Sequence, residues 1–99
     1  MEYSIKGEDN EKFWSLDLVG SFSHFIGCIM SRGFVLALVH GVNNLLKQHG
    51  TESHEVFISI NRYSNLADGR PAKARFVGVF QASPQFLNEF VDLCTKYFG

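Results

Sequence analysis

Residues 54–80 constrain the fold of this chain most, because two runs of alternating side chains flank a single Asp68-Gly69 pair. Alternation with a period of two is typical of a β-strand, and Asp-Gly between two such runs favours a tight hairpin turn. Pairing the runs about that turn predicts four opposed pairs: Ile58 with Val79, Ile60 with Val77, Phe57 with Phe80, and Asn61 with Phe76. The stretch is therefore predicted to form a β-hairpin in this register.

The two faces of this predicted hairpin differ in character. One is aliphatic, which is typical of a surface that packs beneath helices: Val56, Ile58, Ile60, Val77 and Val79. The other mixes aromatic with polar or small residues: Phe57, Ser59, Asn61, Tyr63, Phe76, Gly78 and Phe80. Because both faces are partly apolar, we expect one of them to have a second task besides packing.

The rest of the chain contains a second hairpin and two helical regions. Residues 3–5 and 14–18 alternate on either side of turn-forming residues 7–11, which predicts a first hairpin. Residues 22–48 are apolar at helical spacing, but one unbroken helix would be about 40 Å long beside strands of about 25 Å. We therefore expect a break at Ser31-Arg32-Gly33. Ser83-Pro84 predicts the start of a last helix, by its cap residue and first-turn proline.

These elements predict one α+β domain over residues 1–99, in the order ββα(α)ββα. Such an order suits a two-layer sandwich, in which two hairpins form a four-stranded antiparallel sheet with its helices on one face. The strands are expected to contribute one half of the core: Trp14, Leu16, Leu18, Ile58, Ile60, Val77 and Val79. The helices are expected to contribute the other half: Ile26, Ile29, Val35, Leu38, Val42, Leu45, Phe90, Val91 and Cys94.

The composition of the chain limits which kinds of function and cellular location can be expected. A hydrophobic fraction of 45% with ten phenylalanines argues for a folded domain, and a net charge of −1 argues against strong bulk attraction to nucleic acid. Cys28 and Cys94 lie in apolar helical patterns, and the polar N-terminal run is unlike a signal peptide. We therefore expect reduced thiols in the cytoplasm. Arg32, near the middle of residues 22–48, would be costly in lipid, so no membrane association is expected.

A small cationic cluster marks the predicted end of the second hairpin. Arg62, Arg70, Lys73 and Arg75 are opposed there only by Asp68. In the predicted register Arg62 and Arg75 face each other, which is unfavourable unless an anion, a carboxylate or splayed side chains relieve the repulsion. The cluster could simply solvate an exposed strand end, or bind an acidic protein, or contact the phosphates of a single-stranded nucleic acid.

The mixed aromatic face is the second candidate surface. If the first hairpin joins the same sheet, Phe13, Ser15 and Asp17 extend that face. Exposed aromatic residues at this scale usually mark a partner surface or a homodimer interface. The alternatives are that the inner and outer faces are exchanged, or that one helix covers this side.

Residues arranged for catalysis or metal binding are not apparent in the sequence. It contains no paired carboxylates, no glycine-rich phosphate loop, and no nucleophile at motif spacing from a base. His24 and Cys28 lie one helical turn apart, but two ligands are too few for a metal site. Asp17 is the only acid within a strand pattern. We therefore expect no enzymatic activity, no metal and no cofactor.

The sequence thus predicts a small cytoplasmic protein-binding module that acts by occluding its partner. Single-domain immunity proteins, antitoxins and phage-encoded inhibitors of host defence are comparable in type, though not in sequence. The residues expected to bind the partner are Phe57, Arg62, Tyr63, Arg70, Lys73, Arg75, Phe76 and Phe80. The alternative is a weak nucleic-acid-binding domain that uses the same face and cluster. A homodimer through the aromatic face is a third possibility.

Overall fold

Four strands and three helices follow one another in the predicted order β-β-α-α-β-β-α. The structure, a computed structural model, describes residues 2–62 and 71–99. The predicted Asp68-Gly69 turn, Tyr63 and Arg70 lie outside the described residues. The elements are β1 Glu2–Lys6, β2 Trp14–Ser21, α1 Phe22–Met30, α2 Phe34–Gln48, β3 Val56–Arg62, β4 Pro71–Gly78 and α3 Pro84–Phe98.

Local chemistry accounts for where these elements begin and end. Gly7 has a φ of 79° and accepts a 2.9 Å hydrogen bond from the Asn10 N–H, which closes the turn of the first hairpin. The predicted helix break is confirmed, because α1 and α2 are bent by 90° and Gly33 between them has a φ of 77°. The predicted start of α3 is also confirmed, with the Ser83 hydroxyl accepting a hydrogen bond from the Phe86 N–H.

The sheet is antiparallel throughout and has the strand order β1-β2-β4-β3. Strands β2 and β4 therefore lie in the centre and join the two hairpins, while β1 and β3 form the edges. The helices pack on one face of this sheet. Between the layers lies a core rich in aromatic residues: Trp14, Leu16, Leu18, Phe25, Leu38, Val42, Leu45, Leu46, Ala72, Ala74, Phe76, Phe80, Ala82, Phe86, Leu87, Phe90, Cys94 and Phe98.

The register of the second hairpin differs from the predicted one. Ile58 lies opposite Phe76 instead of Val79, a shift of three residues, and Phe57 lies opposite Val77 instead of Phe80. Because the side-chain period of a strand is two, an odd shift moves every residue of one strand to the other face relative to its partner. The predicted face assignment is therefore wrong for β4.

Burial shows the consequence of this shift. Phe76 and Phe80 are 0% and 6% exposed, so the predicted placement of both rings on an accessible face is wrong. Val79, predicted in the core, is exposed, and Val77 is half-buried on the other side of the sheet. Val35 of α2 and Ile58 of β3 were also predicted in the core, and both are exposed.

Aromatic packing gives the physical reason for the observed register. The ring of Phe76 makes an edge-to-face contact with Phe90 at 5.2 Å, and Phe80 makes one with Phe86 at 5.9 Å. The helices thus supply partners for the aromatic residues of β4 and its extension, and such pairs add to the gain from burial itself. Gly78 allows the indole of Trp14 to pack directly against the β4 backbone, because a Cβ at Gly78 would lie 2.3 Å from Nε1 of Trp14.

No single helix in the described part of the chain is long and apolar enough to cross a membrane. Within residues 2–62 and 71–99, the pair α1 and α2 reaches that length and composition only when taken together across its 90° bend.

Candidate functional site: the open face of the sheet

The face of the sheet opposite the helices carries the candidate site, and we call it the open face. The strand register assigns twelve side chains to it in three rows across the four strands. These are Lys6, Ser15, Val77 and Phe57 in the first row, Ser4, Asp17, Arg75 and Ser59 in the second, and Glu2, Val19, Lys73 and Asn61 in the third.

A carboxylate bound by two cations lies at the centre of the open face. Asp17 is only 2% exposed, although it lies on the face opposite the three described helices. The Arg75 guanidinium donates from Nε to Oδ1 at 2.7 Å and from Nη2 to Oδ2 at 3.1 Å. Nζ of Lys73 lies 3.7 Å from Oδ2. A two-pronged arginine contact of this kind fixes the orientation of both side chains.

Electrostatics hold this group in its ionised form. The hydrogen bond from Arg75 lowers the pKa of Asp17, and the positive charges of Arg75, Lys73 and Lys6 lower it further, against the opposing effect of burial. The same contact raises the pKa of Arg75. Asp17 is therefore negatively charged at neutral pH, and its two neighbours are held in place as cations.

The predicted repulsion between Arg62 and Arg75 does not occur, because the register that implied it is wrong. Arg75 lies between Asp17 on β2 and Ser59 on β3, and Arg62 is opposite Ala72. A carboxylate thus neutralises part of the predicted cationic cluster. Pattern analysis missed this contact because Asp17 and Arg75 are 58 positions apart. The available signal was that Asp17 is the only acid within a strand pattern.

An apolar region adjoins the charged centre on the open face. Phe57 is 58% exposed on edge strand β3 and lies opposite the half-buried Val77. Val79 and Phe13 are both exposed, and continuing the β2–β4 register by one pair brings them opposite each other. The open face thus presents apolar side chains at one end and fixed charges in its middle.

The structure separates the eight predicted partner-binding residues. Phe57, Lys73 and Arg75 lie together on the open face, whereas Phe76 and Phe80 lie in the core. Arg62 is the last residue of β3. Of the additional residues predicted to extend the face, Ser15 and Asp17 belong to the open face.

A separate cleft of about 320 Å³ lies where α2, α3 and the β1–β2 turn meet. His49 at the end of α2 lies beside it and is hydrogen-bonded to the Glu89 carboxylate of α3. Two hydroxyls nearby contact the backbone: Thr51 donates to the Leu46 carbonyl, and Ser83 accepts from the Phe86 N–H. These contacts connect α2 to the following loop and cap α3.

His24 and Cys28 contact the C-terminal end of the chain. Nε2 of His24 is 2.6 Å from the Phe98 carbonyl oxygen and 3.7 Å from Sγ of Cys28. Residues 2–62 and 71–99 contain no group of three or more His, Cys, Asp or Glu side chains that could hold a metal ion. The histidine thus connects α1 to the end of α3.

Comparison with protein-family models, with curated proteins and with solved structures found no match to this chain. The functional argument therefore depends on the geometry of the open face.

Proposed function

We propose that this chain is a small protein-binding module that occludes a surface of its partner with the open face. The observation that carries the proposal is the exposed Phe57 beside an Arg75 side chain that Asp17 already holds in place. Both belong to the face opposite the three described helices. Aromatic and arginine side chains contribute most of the binding energy in many protein interfaces.

Preorganisation makes this arrangement suitable for recognition. Part of the Arg75 side chain is exposed, and its contact with Asp17 limits the conformational freedom that it would lose on binding. Lys73 adds a second positive charge that would orient an acidic partner. Acceptor groups of the partner would bind these cations, while its apolar surface would cover Phe57 and Val79.

Occlusion requires contact area and no catalytic group, in the manner of immunity proteins, antitoxins and phage-encoded inhibitors. A cytoplasmic location is part of the proposal. Its support is that Cys28 and Cys94 are free thiols, as a reducing compartment would leave them. Arg62, Tyr63 and Arg70 stay predicted contributors to partner contact.

Affinity capture with matched variants tests this proposal. Phe57→Asp and Val79→Asp each place a charge in the apolar region, and Tyr3→Asp places one at an exposed position on the opposite edge strand. A stoichiometric partner should be recovered with the wild type and with Tyr3→Asp, and be lost with the other two. Far-UV circular dichroism confirms that each variant is folded. Equal recovery of the partner with all three variants would exclude the open face as its binding site.

A nucleic-acid-binding function is the second candidate, because Lys6, Lys73 and Arg75 lie on the same face as an exposed ring. Cations beside aromatic rings are typical of surfaces that bind single strands. Asp17 weakens this case, since it neutralises part of the positive charge. Fluorescence anisotropy with labelled single strands would decide: nucleic-acid binding should fall steeply with salt and be lost in Lys73→Glu. An aromatic protein interface should depend much less on salt.

A further inference from the structure

Among the residues that the structure describes, edge strand β3 pairs with β4 alone, and most of its length carries no charged side chain. In the sheet order β1-β2-β4-β3 it pairs only with β4, and residues 56–61 carry no formal charge. The opposite edge, β1, carries Glu2 and Lys6 within five residues. Proteins usually protect sheet edges with charges, prolines or bulges, because an unprotected edge can pair with another chain. The β3 edge lacks the charges that protect β1.

Helix α2 continues this surface, and Glu55, just before β3, lines the groove between them. Residues 34–46 contain no Asp, Glu, Lys or Arg, and the helix borders β3 along a groove of about 250 Å³. Val39 lines the groove and is exposed. Val35 and Leu36 precede it by four and three residues, so helical spacing places them on the same side of α2. Leu36 is 65% exposed, and Ile58 on β3 is 42% exposed.

We infer that β3 pairs antiparallel with β3 of a second copy of this chain, across a two-fold axis perpendicular to the sheet. Such an axis joins the two sheets into one of eight strands and keeps both helical layers on the same side. The two copies of α2 then lie near the axis, where their exposed apolar side chains cover each other. The interface is therefore a strand pair and a helix pair, both formed from identical elements.

Self-complementarity favours a second copy as the occupant of this edge. With the axis at Ser59, the midpoint of β3, Phe57 meets Asn61 of the second copy, and Ile58 meets Ile60. No formal charges oppose each other within residues 56–61 in this register, and the pair Ile58 and Ile60 places apolar side chains against each other.

Strand and helix both contribute to the interface. A standard interface takes about 800 Å² from each partner, and the exposed side chains of Val35, Leu36, Val39 and Ile58 contribute part of that area. The paired backbones, the polar flanks of β3 and the remaining groove residues supply the rest. The dimer also places two open faces side by side, so it extends the proposed function without depending on it.

Light scattering over a wide concentration series tests the inference. The wild type should show twice the chain mass of 11.2 kDa. Ile58→Lys puts a charge at the strand edge and Leu36→Lys puts one on α2, and both variants should show the monomer mass. Tyr3→Lys is the matched control on the other edge strand and should stay dimeric. A wild type that is monomeric at every concentration, or a dimer lost only in Tyr3→Lys, would overturn the proposal.

Amide hydrogen exchange identifies the paired edge directly. Half of the β3 amides face away from β4 and should exchange slowly in the wild-type dimer and much faster in Leu36→Lys, which leaves β3 itself unaltered. Unchanged exchange in β3 between dimer and monomer would mean that the copies associate elsewhere, and the inference would fail. Binding of a different protein to the β3 edge of a monomeric wild type would contradict it as well.

Discussion

Neighbouring residues of β4 should lose very different amounts of stability on truncation, because they lie on opposite faces of the sheet. Phe76 is fully buried, with edge-to-face contacts to Phe90 at 5.2 Å and to Phe98 at 6.2 Å. Removing a buried phenylalanine ring costs about 3–5 kcal/mol of unfolding free energy, through lost transfer energy and the cavity that remains. Val77, one residue later, is half-buried on the open face.

For Phe76→Ala, a loss of about 4 kcal/mol would be a large part of the roughly 5–15 kcal/mol that stabilises a typical domain. At about 4–8 °C per kcal/mol for a chain of this size, the Tm should fall by about 15–30 °C. Val77→Ala should cost no more than about 1 kcal/mol, since little buried volume is lost.

Urea unfolding followed by far-UV circular dichroism, with thermal melts, measures both changes. Phe76→Leu retains most of the buried volume, and it should show a smaller drop of the same sign if the alanine variant does not fold. A larger loss for Val77→Ala than for Phe76→Ala or Phe76→Leu would mean that the faces of β4 are exchanged. The core described above would then be wrong.

Three further predictions concern an ion pair, a close contact and a thiol. Asp17→Asn should be less stable than the wild type at neutral pH. The difference in unfolding free energy should shrink as the pH falls below about 5. A carboxyl group whose pKa is lowered by folding contributes its full stabilisation above its unfolded pKa of 3.8, and this contribution is lost as the group protonates in the folded protein. Gly78→Ala should cost about 1–3 kcal/mol in thermal or urea unfolding, since its Cβ would lie 2.3 Å from Nε1 of Trp14. Burial raises the pKa of Cys94 to about 12, so a thiol reagent should modify the half-buried Cys28 first, as mass spectrometry would show.

Each of these predictions has a control. Asp92→Asn, which removes a carboxylate at an exposed position on α3, is the control for the loss of a negative charge. Gly27→Ala adds a Cβ with nothing within 4 Å in the middle of a helix, and should be neutral or stabilising by up to about 1 kcal/mol. Both thiols should react equally in denaturant. The ion-pair argument would be contradicted if the loss of stability in Asp17→Asn did not depend on pH. The close-contact argument would be contradicted if the two glycine variants were equally stable. The burial argument would be contradicted if Cys94 were labelled faster than Cys28 in the native protein.

Several features of the fold follow from neighbouring residues, and these could be predicted from the sequence. The turn after β1, the break before α2 and the start of α3 depend on Gly7, Gly33 and Ser83-Pro84. Each acts through its own backbone angle or a hydrogen bond within three residues. The element order and the α+β class follow, because alternating and helical patterns are legible along the chain.

The faces of β4 were predicted wrongly because both alternating sets are apolar towards the end of the strand, with Phe76 and Phe80 in one set and Val77 and Val79 in the other. Lys73 and Arg75 alternate with Val77 and already favour an outward position for that set. The aromatic ring of Phe90 on α3 against Phe76 and the indole of Trp14 against Gly78 determine which set faces inward. These partners come from segments distant in sequence. The predicted register rested on Asp68-Gly69, whereas packing against the helices selected a register offset by three residues.

The candidate site shows the same division. The sequence determined that aromatic and cationic residues would alternate along one hairpin, since their identities and spacing are local properties. Only the tertiary structure decided that Arg75 would meet Asp17 and that β3 would lie at the sheet edge. The physical reason is range: turns and caps are stabilised within a few residues, whereas close packing and charge pairing join segments that only the folded chain brings together.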